Sequence, residues 1–359
     1  MEIRKIADKD MKSVRYLWHE VFPEDSDDFL NWYFTKVYMP SNSWGAFEGT
    51  RLLSMATVAR YKFCVRNKLH SANFLQGVGT AKSEQGRGES SAVISRVLND
   101  LNMDGEAFSF LNTFIHPFYE KLGYTTYTFS RRETIPAKEG AAFDIYGYED
   151  IDDITISRLS RIYKNAVERT HGWRLRNTAD IKRILYDSTE IGDSVLITAK
   201  NGDHIGGYAI AEKSGDSLTA FETVVESDEM LDSFAAAAAQ MGLNSFACTL
   251  PSDSGDPGRM MRIVNIESAL ENIVLGDGEC VIKIHDGEIA KNDGTWHIFS
   301  RSGRTKVTKT IADAGVNLTI AELGQMVMGI AMPVTGSDET SENVRKMFTP
   351  QKCINYEQY

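Results

Sequence analysis

A glycine-bearing turn in the first quarter of the chain has the residue types best suited to binding chemistry. It reads Gln85-Gly-Arg-Gly-Glu-Ser90 and lies between a strand predicted over 72–81 and an amphipathic helix predicted over 91–101. Its two glycines allow the backbone to approach a ligand closely, and the free amides of a helix's first turn favour an anion. The turn therefore predicts a site for a diphosphate group, to which Arg87 adds a charge-assisted contact.

The turn does not match two common phosphate-binding patterns. No G-K-[S/T] follows it, which excludes a Walker A loop, and the G-x-G-x-x-G pattern of dinucleotide-binding folds is missing. A glycine-rich turn alone also occurs as an exposed loop without a ligand. A second segment, Pro117-Phe-Tyr-Glu-Lys-Leu-Gly-Tyr124, follows some thirty residues later and narrows the choice.

Together the two segments resemble the GNAT acetyltransferase superfamily. The turn is similar to the superfamily's Q/R-x-x-G-x-G/A motif, with Ser90 in place of the last small residue, and the second segment is similar to F-Y-x-x-x-G-F/Y. The resemblance implies acetyl-CoA as co-substrate and no metal, with the diphosphate on the turn and the pantetheine arm along the preceding strand. The cofactor-binding residues implied are Val78, Gly79, Thr80, Gln85, Gly86, Arg87, Gly88, Glu89 and Ser90.

Tyr119 lies in the second segment, where the resemblance implies the general acid that protonates the departing thiolate. A phenol has a reference pKa of about 10, so it is protonated at neutral pH and able to donate. The alternative role of Tyr119 is a core aromatic residue of the short helix predicted over 117–122.

The full length of the chain resembles the Eis (enhanced intracellular survival) family. Residues 261–270 are similar to that family's R-[LV]-x-D-[VI]-x-x-A-L segment, and residues 313–329 to its D-L-x-[LI]-x-x-L-[GA]-x-x-[YL]-x-G segment, where Thr319 with Glu322 predicts a helix N-terminus. The implied fold is α/β (α+β), with tandem GNAT-like mixed-sheet domains followed by a sterol-carrier-like α/β domain. The predicted domains are 1–135, 145–251 and 258–359, with a break near 134–148 and a linker at 252–258. The middle domain matches only by its position and by its order of helices and strands. It lacks a glycine-rich turn, so we expect it to bind no CoA.

The last residues of the chain are also candidates for chemistry. In the Eis family the terminal aromatic residue places its α-carboxylate near the substrate amine as a base, which implies this role for Tyr359. The preceding residues are apolar enough to dock on the protein, and a packed tail with only a structural role is the alternative.

An amine pocket is expected between the N-terminal helices and this tail, because carboxylates and aromatic faces suit a cation. Its candidate residues are Phe22, Glu24, Asp25, Trp32 and Glu357, each of which has a packing or solvated alternative.

Composition limits the remaining function classes. The 359 residues allow two or three domains, and the formal net charge of −11 disfavours nucleic acid and anionic membranes as partners. The four cysteines are far apart and the seven histidines lack ligand spacing, so we expect reduced thiols in a cytoplasmic protein and no metal site. Neither a secretory signal nor an apolar run of membrane-spanning length is evident.

The sequence therefore predicts an acetyl-CoA-dependent N-acetyltransferase that acts by direct transfer. The acceptors implied are small cationic amines, such as aminoglycosides or polyamine-like compounds, or a lysine side chain. The alternative is a non-catalytic lipid or small-ligand binding protein that uses the sterol-carrier-like domain. An aminoacyl transferase built from two GNAT domains is disfavoured, since the acidic chain opposes transfer-RNA binding. The Eis resemblance implies a homo-oligomer, specifically a hexamer.

Overall fold

The chain folds into three β-sheets flanked by helices, which confirms the predicted α/β class with tandem mixed-sheet domains. The computed structural model describes residues 1–357. Its first helices and strands are β1 (Glu2–Lys5), α1 (Met11–Val21), α2 (Asp27–Lys36), β2 (Ser43–Glu48), β3 (Arg51–Val65), β4 (Lys68–Thr80), α3 (Glu89–Met103), β5 (Phe108–Leu111), α4 (His116–Glu120) and β6 (Thr125–Thr126).

The middle section repeats this order of helices and strands. It comprises β7 (Phe129–Pro136), β8 (Ala142–Tyr146), α5 (Asp153–Val167), α6 (Thr178–Leu185), a π-helical segment (Tyr186–Ile191), β9 (Val195–Asn201), β10 (His204–Ser214), β11 (Ser217–Val225), α7 (Leu231–Gln240) and β12 (Ser245–Ser252). The last section comprises β13 (Asp256–Pro257), β14 (Met260–Ile263), α8 (Ile266–Glu271), β15 (Gly278–His285), β16 (Gly294–Arg301), β17 (Arg304–Thr310), β18 (Val316–Thr319), α9 (Ile320–Met328) and α10 (Glu339–Met347).

The two larger sheets have the same strand order and exchange one strand with each other. The first sheet is ordered β1-β2-β3-β4-β5-β14-β6, and the second is β8-β9-β10-β11-β12-β7-β13. In the first sheet, the place beside β5 is taken by β14, which comes from the last section of the chain and pairs Met260 with Leu111. In the second sheet, the corresponding place beside β12 is taken by β7, which follows directly after the first section. Each sheet is therefore completed by a strand that is adjacent, in the sequence, to strands of the other sheet.

The strand exchange bears on two boundaries expected from the sequence. The predicted break at 134–148 contains the end of β7, whose last residue is Pro136, and the whole of β8. The predicted third domain begins at 258, yet β14 pairs within the first sheet. Hydrophobic periodicity identifies a strand but carries no information about its partner, which explains both differences.

The last section packs on the first sheet through a common core. The third sheet is ordered β17-β16-β15-β18, and its inward side chains Ile282, Ile284 and Ile298 are fully buried. They belong to one hydrophobic cluster with Phe63 and Phe110 of the first sheet. In α9, Thr319 accepts from the Glu322 amide, as the capping pattern predicts, and Gly329 ends the helix at φ 67°. No helix within residues 1–357 is long and apolar enough to cross a bilayer.

Candidate active site

An open gap between two parallel strands dominates the centre of the first sheet. Strands β4 and β5 pair only from Asn73 with Ser109 to Leu75 with Leu111. Beyond Leu75, β4 continues to Thr80, still paired with β3 on its other side. The edge of residues 76–80 that faces β5 has no strand partner among the described residues. Its backbone groups are therefore free to hydrogen-bond an extended ligand arm, as a further strand would.

Two glycines allow a helix to pack closely on this part of β4. Gly77 has φ 57°, and an added Cβ there would lie 2.9 Å from the ring of Trp18 in α1. A Cβ on Gly79 would lie 2.9 Å from Val21 at the end of the same helix. Only glycine provides both the backbone conformation at Gly77 and the clearance at these positions. The predicted residues Val78, Gly79 and Thr80 thus lie on a strand held between α1 and the open gap.

The predicted glycine turn directly follows β4 and leads into α3. Gly86 and Gly88 have φ 80° and 92°, and an added Cβ at either would meet no atom within 4 Å. Gly88 is the N-cap of α3 and offers no side chain to its amides. The first-turn amides of Glu89 and Ser90 have no intrahelical acceptor, as in any helix. The corner is therefore open and presents N–H groups together with the positive end of the helix dipole.

Arg87 is held beside this corner by Glu84. Its Nη1 donates to Glu84 Oε2 at 2.9 Å, and Arg51 Nη2 lies 3.0 Å from Glu84 Oε1. The hydrogen bond from Ser83 and the two arginines lower the pKa of Glu84. The side chain of Arg87 remains 65% exposed, so its guanidinium is available to an anion at the turn. The predicted Gln85 is exposed, and Glu89 is partly buried with no hydrogen-bond donor on its Oε2 among the described residues.

Tyr119 lies in the apolar core that the gap and α3 share. It is 9% exposed and belongs to one cluster with Leu75 of β4 and Val93 of α3, against which Val78 packs. Burial, with a smaller contribution from Tyr124, raises the pKa of Tyr119 above its ordinary value. The phenol therefore keeps its proton throughout the neutral range, as an acid must.

The short helix α4 that carries Tyr119 is fixed at both ends. At its start, His116 Nε2 is 2.8 Å from the Gly258 carbonyl oxygen, and Pro117 occupies the first turn. At its end, the buried guanidinium of Arg262 donates to the Leu122 carbonyl oxygen. Both anchors come from the segment around β14. The strand exchange therefore positions Tyr119.

The predicted amine-binding residues of the first section lie together around Trp18. Asp25 accepts a hydrogen bond of 2.7 Å from Trp18 Nε1, and the Phe22 ring centroid is 4.9 Å from that of Trp18. Burial raises the pKa of Asp25. Glu24 is exposed and Trp32 is partly buried. These residues form a partly desolvated wall with one carboxylate and several aromatic faces.

Residues of the middle section, which the sequence did not suggest, face this wall. The Tyr186 ring centroid lies 6.1 Å from that of Trp32, and the next residue is Asp187. The pKa of Asp187 is raised to about 6, mainly by burial, with Arg183 opposing the rise and the charge of Asp25 adding to it. Asp25 and Asp187 are therefore close enough to interact across the two sections. No motif marks Tyr186 or Asp187, because only the packing of the two domains brings them to Trp32.

Glu357 occupies a different environment from the one expected for an amine-binding residue. It is 3% exposed, and its Oε1 accepts a 2.7 Å hydrogen bond from Arg174 while Arg176 lies 3.5 Å from its other oxygen. Its charge is thus compensated by two arginines inside the protein, and its role in amine binding stays a prediction. The predicted base Tyr359 lies outside the described residues.

No metal centre competes with this site in the part of the chain that the structure describes. Within residues 1–357, His, Cys, Asp and Glu side chains form no group of three or more placed to hold a metal ion. The four cysteines, Cys64, Cys248, Cys280 and Cys353, are all buried free thiols.

The gap, the amide corner and the buried phenol together form a candidate site for acyl transfer from an acyl-CoA. In agreement, residues 2–127 match the family model described as an acetyltransferase (GNAT) domain. Residues 266–351 match the model described as a sterol carrier protein domain. These matches support acyl transfer with an acyl-CoA co-substrate in general. No curated protein matches the chain.

Several solved structures share the fold over essentially the whole chain. A probable N-acyltransferase from Enterococcus faecalis has a TM-score of 0.82 at 18% identity and covers 100% of this chain and 99% of its own. A GCN5-related N-acetyltransferase from Kribbella flavida has a TM-score of 0.75 at 17% identity, covering 100% and 98%. Eis1 from Mycobacterium abscessus has a TM-score of 0.70 at 15% identity, covering 100% of both chains. At these identities the likeness shows the fold.

Proposed function

We propose that this protein is an acetyl-CoA-dependent N-acetyltransferase of the Eis type, which transfers acetyl directly to an amine. The observation that carries the proposal is the β4–β5 gap, which leads into the open amide corner at Gly86 and Gly88. Pantetheine would lie along residues 76–80, and the diphosphate on the first-turn amides of α3 with Arg87 beside it. Tyr119 belongs to the core against which Val78 packs, and we assign its phenolic proton to the thiolate end of the arm.

In the proposed reaction the acceptor nitrogen attacks the thioester carbonyl. The tetrahedral intermediate collapses as the C–S bond breaks, and the CoA thiolate takes the phenolic proton of Tyr119. The proton lost by the ammonium goes to a base, for which the Eis resemblance assigns the α-carboxylate of Tyr359. Positioning of amine and thioester supplies much of the rate enhancement.

We infer that the acceptor is a cationic amine bound against Phe22, Asp25 and Trp32. The partly buried carboxylate of Asp25 supplies charge attraction, and the aromatic faces supply cation–π contact. Asp187 adds a second carboxylate from the middle section. Small polyamine-like compounds, aminoglycosides and lysine side chains all carry such a group. Glu24 lies exposed at the rim and would act by long-range attraction.

The remaining organisation is proposed on the Eis resemblance. Residues 1–135 would form the catalytic domain, 145–251 a second GNAT-like domain without CoA, and 258–359 the sterol-carrier-like domain, with β14 contributed to the first sheet. The same resemblance favours a cytoplasmic homo-oligomer, specifically a hexamer.

The test is acetyl-CoA consumption across a panel of amines, together with thermal unfolding at increasing acetyl-CoA. We expect turnover with at least one cationic amine and a Tm that rises with cofactor concentration, since a ligand that binds only the native state stabilises it. Purified protein that carries extracted lipid, shows no Tm shift with acetyl-CoA and acetylates no amine would reject the proposal in favour of a lipid-binding function.

A further inference from the structure

The second sheet repeats the strand gap of the first sheet. Strands β11 and β12 are parallel, as β4 and β5 are, and they pair only from Ser217 with Ser245 to Thr219 with Ala247. Beyond these pairs β11 continues to Val225, paired with β10 alone, and β12 continues to Ser252, paired with β7. A cleft with the geometry of the candidate cofactor gap therefore exists in the middle section.

The end of this second gap lacks the glycine turn that forms the amide corner of the first gap. The residues between β11 and α7 read Glu-Ser-Asp-Glu-Met, without glycine, where the first sheet has its glycine turn. Asp228 and Glu229 lie in this connection, and Asp232 lies in the first turn of α7. Carboxylates at a helix N-terminus occupy the favourable potential that would otherwise attract a phosphate. The second gap therefore lacks an anion cradle.

A segment of the same chain lies in the second gap instead. We call residues 352–357 the closing segment. Phe221–Thr223 of β11 and Thr249–Pro251 of β12 line a cavity of only ≈ 20 Å³ together with residues 353–356 of the closing segment. Such a volume admits about one water molecule. The closing segment thus occupies the part of the gap beside Phe221–Thr223, and a cavity of ≈ 600 Å³ remains open toward Val225 and Leu250.

Hydrogen bonds and apolar contacts anchor the closing segment along its length. The His171 amide donates to the Lys352 carbonyl at 3.1 Å, and the Ile354 amide donates back to the His171 carbonyl at 2.9 Å. Ile354 packs in a cluster with Tyr163 and Val167 of α5. The Asn355 side chain donates to the Tyr127 hydroxyl at 2.6 Å, which joins the segment to the end of the first section.

The far end of the closing segment is tied to the first sheet by a buried ion pair. Arg174 donates to Glu357 at 2.7 Å, and its guanidinium lies 3.5 Å from the ring centroid of Tyr61 in β3. Arg259, which precedes β14, donates to the Glu357 carbonyl oxygen at 2.8 Å. Glu357 is therefore held at the junction of the two sheets, with Tyr61 of the first sheet beneath its partner.

We propose that the middle section is a positioning domain. Its strand gap holds the closing segment in the place where an acyl-CoA arm would otherwise lie. The Arg174–Glu357 pair fixes the end of this segment for acyl transfer at the first gap. Arg174 and Glu357 act here as positioning residues and do not touch substrate. This inference rests on the proposed acyl transfer. It assigns a role to a domain whose own gap lacks the glycine turn and holds the closing segment.

Two full-length variants test the proposal, with Cys353 as a reporter. Cys353 is 9% exposed while the segment is docked, with its Sγ 3.1 Å from the Met328 carbonyl oxygen. Glu357→Gln removes the end anchor, and Ile354→Asp places a charge against the apolar cluster. Iodoacetamide labelling, followed peptide by peptide by mass spectrometry, reports docking, and Cys248 in β12 serves as the internal standard for the stability of the core.

Both variants are expected to label at least tenfold faster at Cys353 with no change at Cys248. They are also expected to lose at least tenfold in kcat while the acetyl-CoA Kd stays within twofold. Glu357→Asp should restore most of the kcat. The matched control is Asp144→Asn, which removes a carboxylate that pairs with Lys200 at 2.9 Å between β8 and β9, at the opposite side of the same sheet from β12 and β7. This control should leave kcat and Cys353 labelling near wild type.

Full kcat in a variant with rapidly labelled Cys353 would overturn the proposal, as would an equal kcat loss in Asp144→Asn. Failure of the proposed function would give a different result. The unaltered protein would then neither bind acetyl-CoA nor turn over any amine, whatever the labelling rate at Cys353.

Discussion

Gly123 lies directly against the buried guanidinium of Arg262, and a Cβ atom on Gly123 would overlap Arg262 Nη1. The same guanidinium donates to both oxygens of Asp286, at 2.6 and 2.8 Å, and all charged atoms of this pair are inaccessible to solvent. Gly123 also has φ 79° at the end of the helix that carries Tyr119. One glycine therefore allows the first sheet, the last section and α4 to meet.

Gly123→Ala is expected to destabilise the protein strongly, because the new methyl group must displace a buried, paired arginine. Strain at positive φ and overpacking together predict a loss of about 2–4 kcal/mol, measured by urea unfolding. The control is Gly105→Ala, with φ 75° and no atom within 4 Å of the added Cβ, which should lose only about 1 kcal/mol. Equal losses in the two variants would show that Arg262 moves aside without a cost in the free energy of unfolding.

Gly88→Ala is expected to weaken acetyl-CoA binding more than it weakens the fold. The added methyl group meets no protein atom within 4 Å, but it projects at the proposed diphosphate corner. We expect Kd for acetyl-CoA to rise about tenfold, equivalent to about 1.4 kcal/mol, in a calorimetric titration. Gly49→Ala, with φ 61° and equal free space in another turn, controls for backbone strain. Unchanged affinity in Gly88→Ala would place the diphosphate elsewhere.

Tyr119→Phe is expected to lower kcat by about 10²-fold or more, since it removes the proposed general acid. Acetyl-CoA affinity should change little, because the ring and its packing remain. As burial raises the pKa of Tyr119, the unaltered enzyme should show no loss of kcat from this group as pH rises to 10. Tyr124→Phe is the control, for it removes a different buried hydroxyl, 2.7 Å from Ser109, and keeps the ring that packs on Tyr119. Similar kcat values for the two variants would exclude the acid role.

Asp187 is expected to make stability depend on pH. Its folded-state pKa is raised from 3.8 to about 6, so the native state binds an extra proton between these values. The resulting contribution to stability is complete below about pH 4 and is lost as pH rises through about 6. Asp187→Asn should therefore flatten the decline in Tm between pH 4 and 7, and it should raise KM for a cationic amine. The exposed Asp193→Asn should do neither, and an unaltered pH profile in Asp187→Asn would contradict the assignment.

Local structure around the candidate site follows from short-range sequence signals. The helix after the glycine turn was predictable, because apolar residues such as Val93 and Val97 repeat on one face and are all buried in α3. The exchange of β7 and β14 was not predictable, because the alternation of a strand fits either sheet equally. The surroundings of Asp187 and Glu357 were not predictable for the same reason. Asp187 lies beside the aromatic wall and Glu357 between two arginines, and these neighbours are more than 150 positions away in the chain.

The exchanged strands also impose an order on folding during synthesis. Leu111 at the end of β5 pairs with Met260, about 150 residues later in the chain. At a synthesis rate of roughly 5–20 residues per second, the edge of β5 waits about 7–30 s for its neighbour to leave the ribosome. During that interval the nascent first section exposes an apolar strand edge, which is a site for aggregation or for chaperone binding. A ribosome-bound chain stopped shortly before residue 260 should therefore be held by chaperones, and release should follow once β14 has emerged.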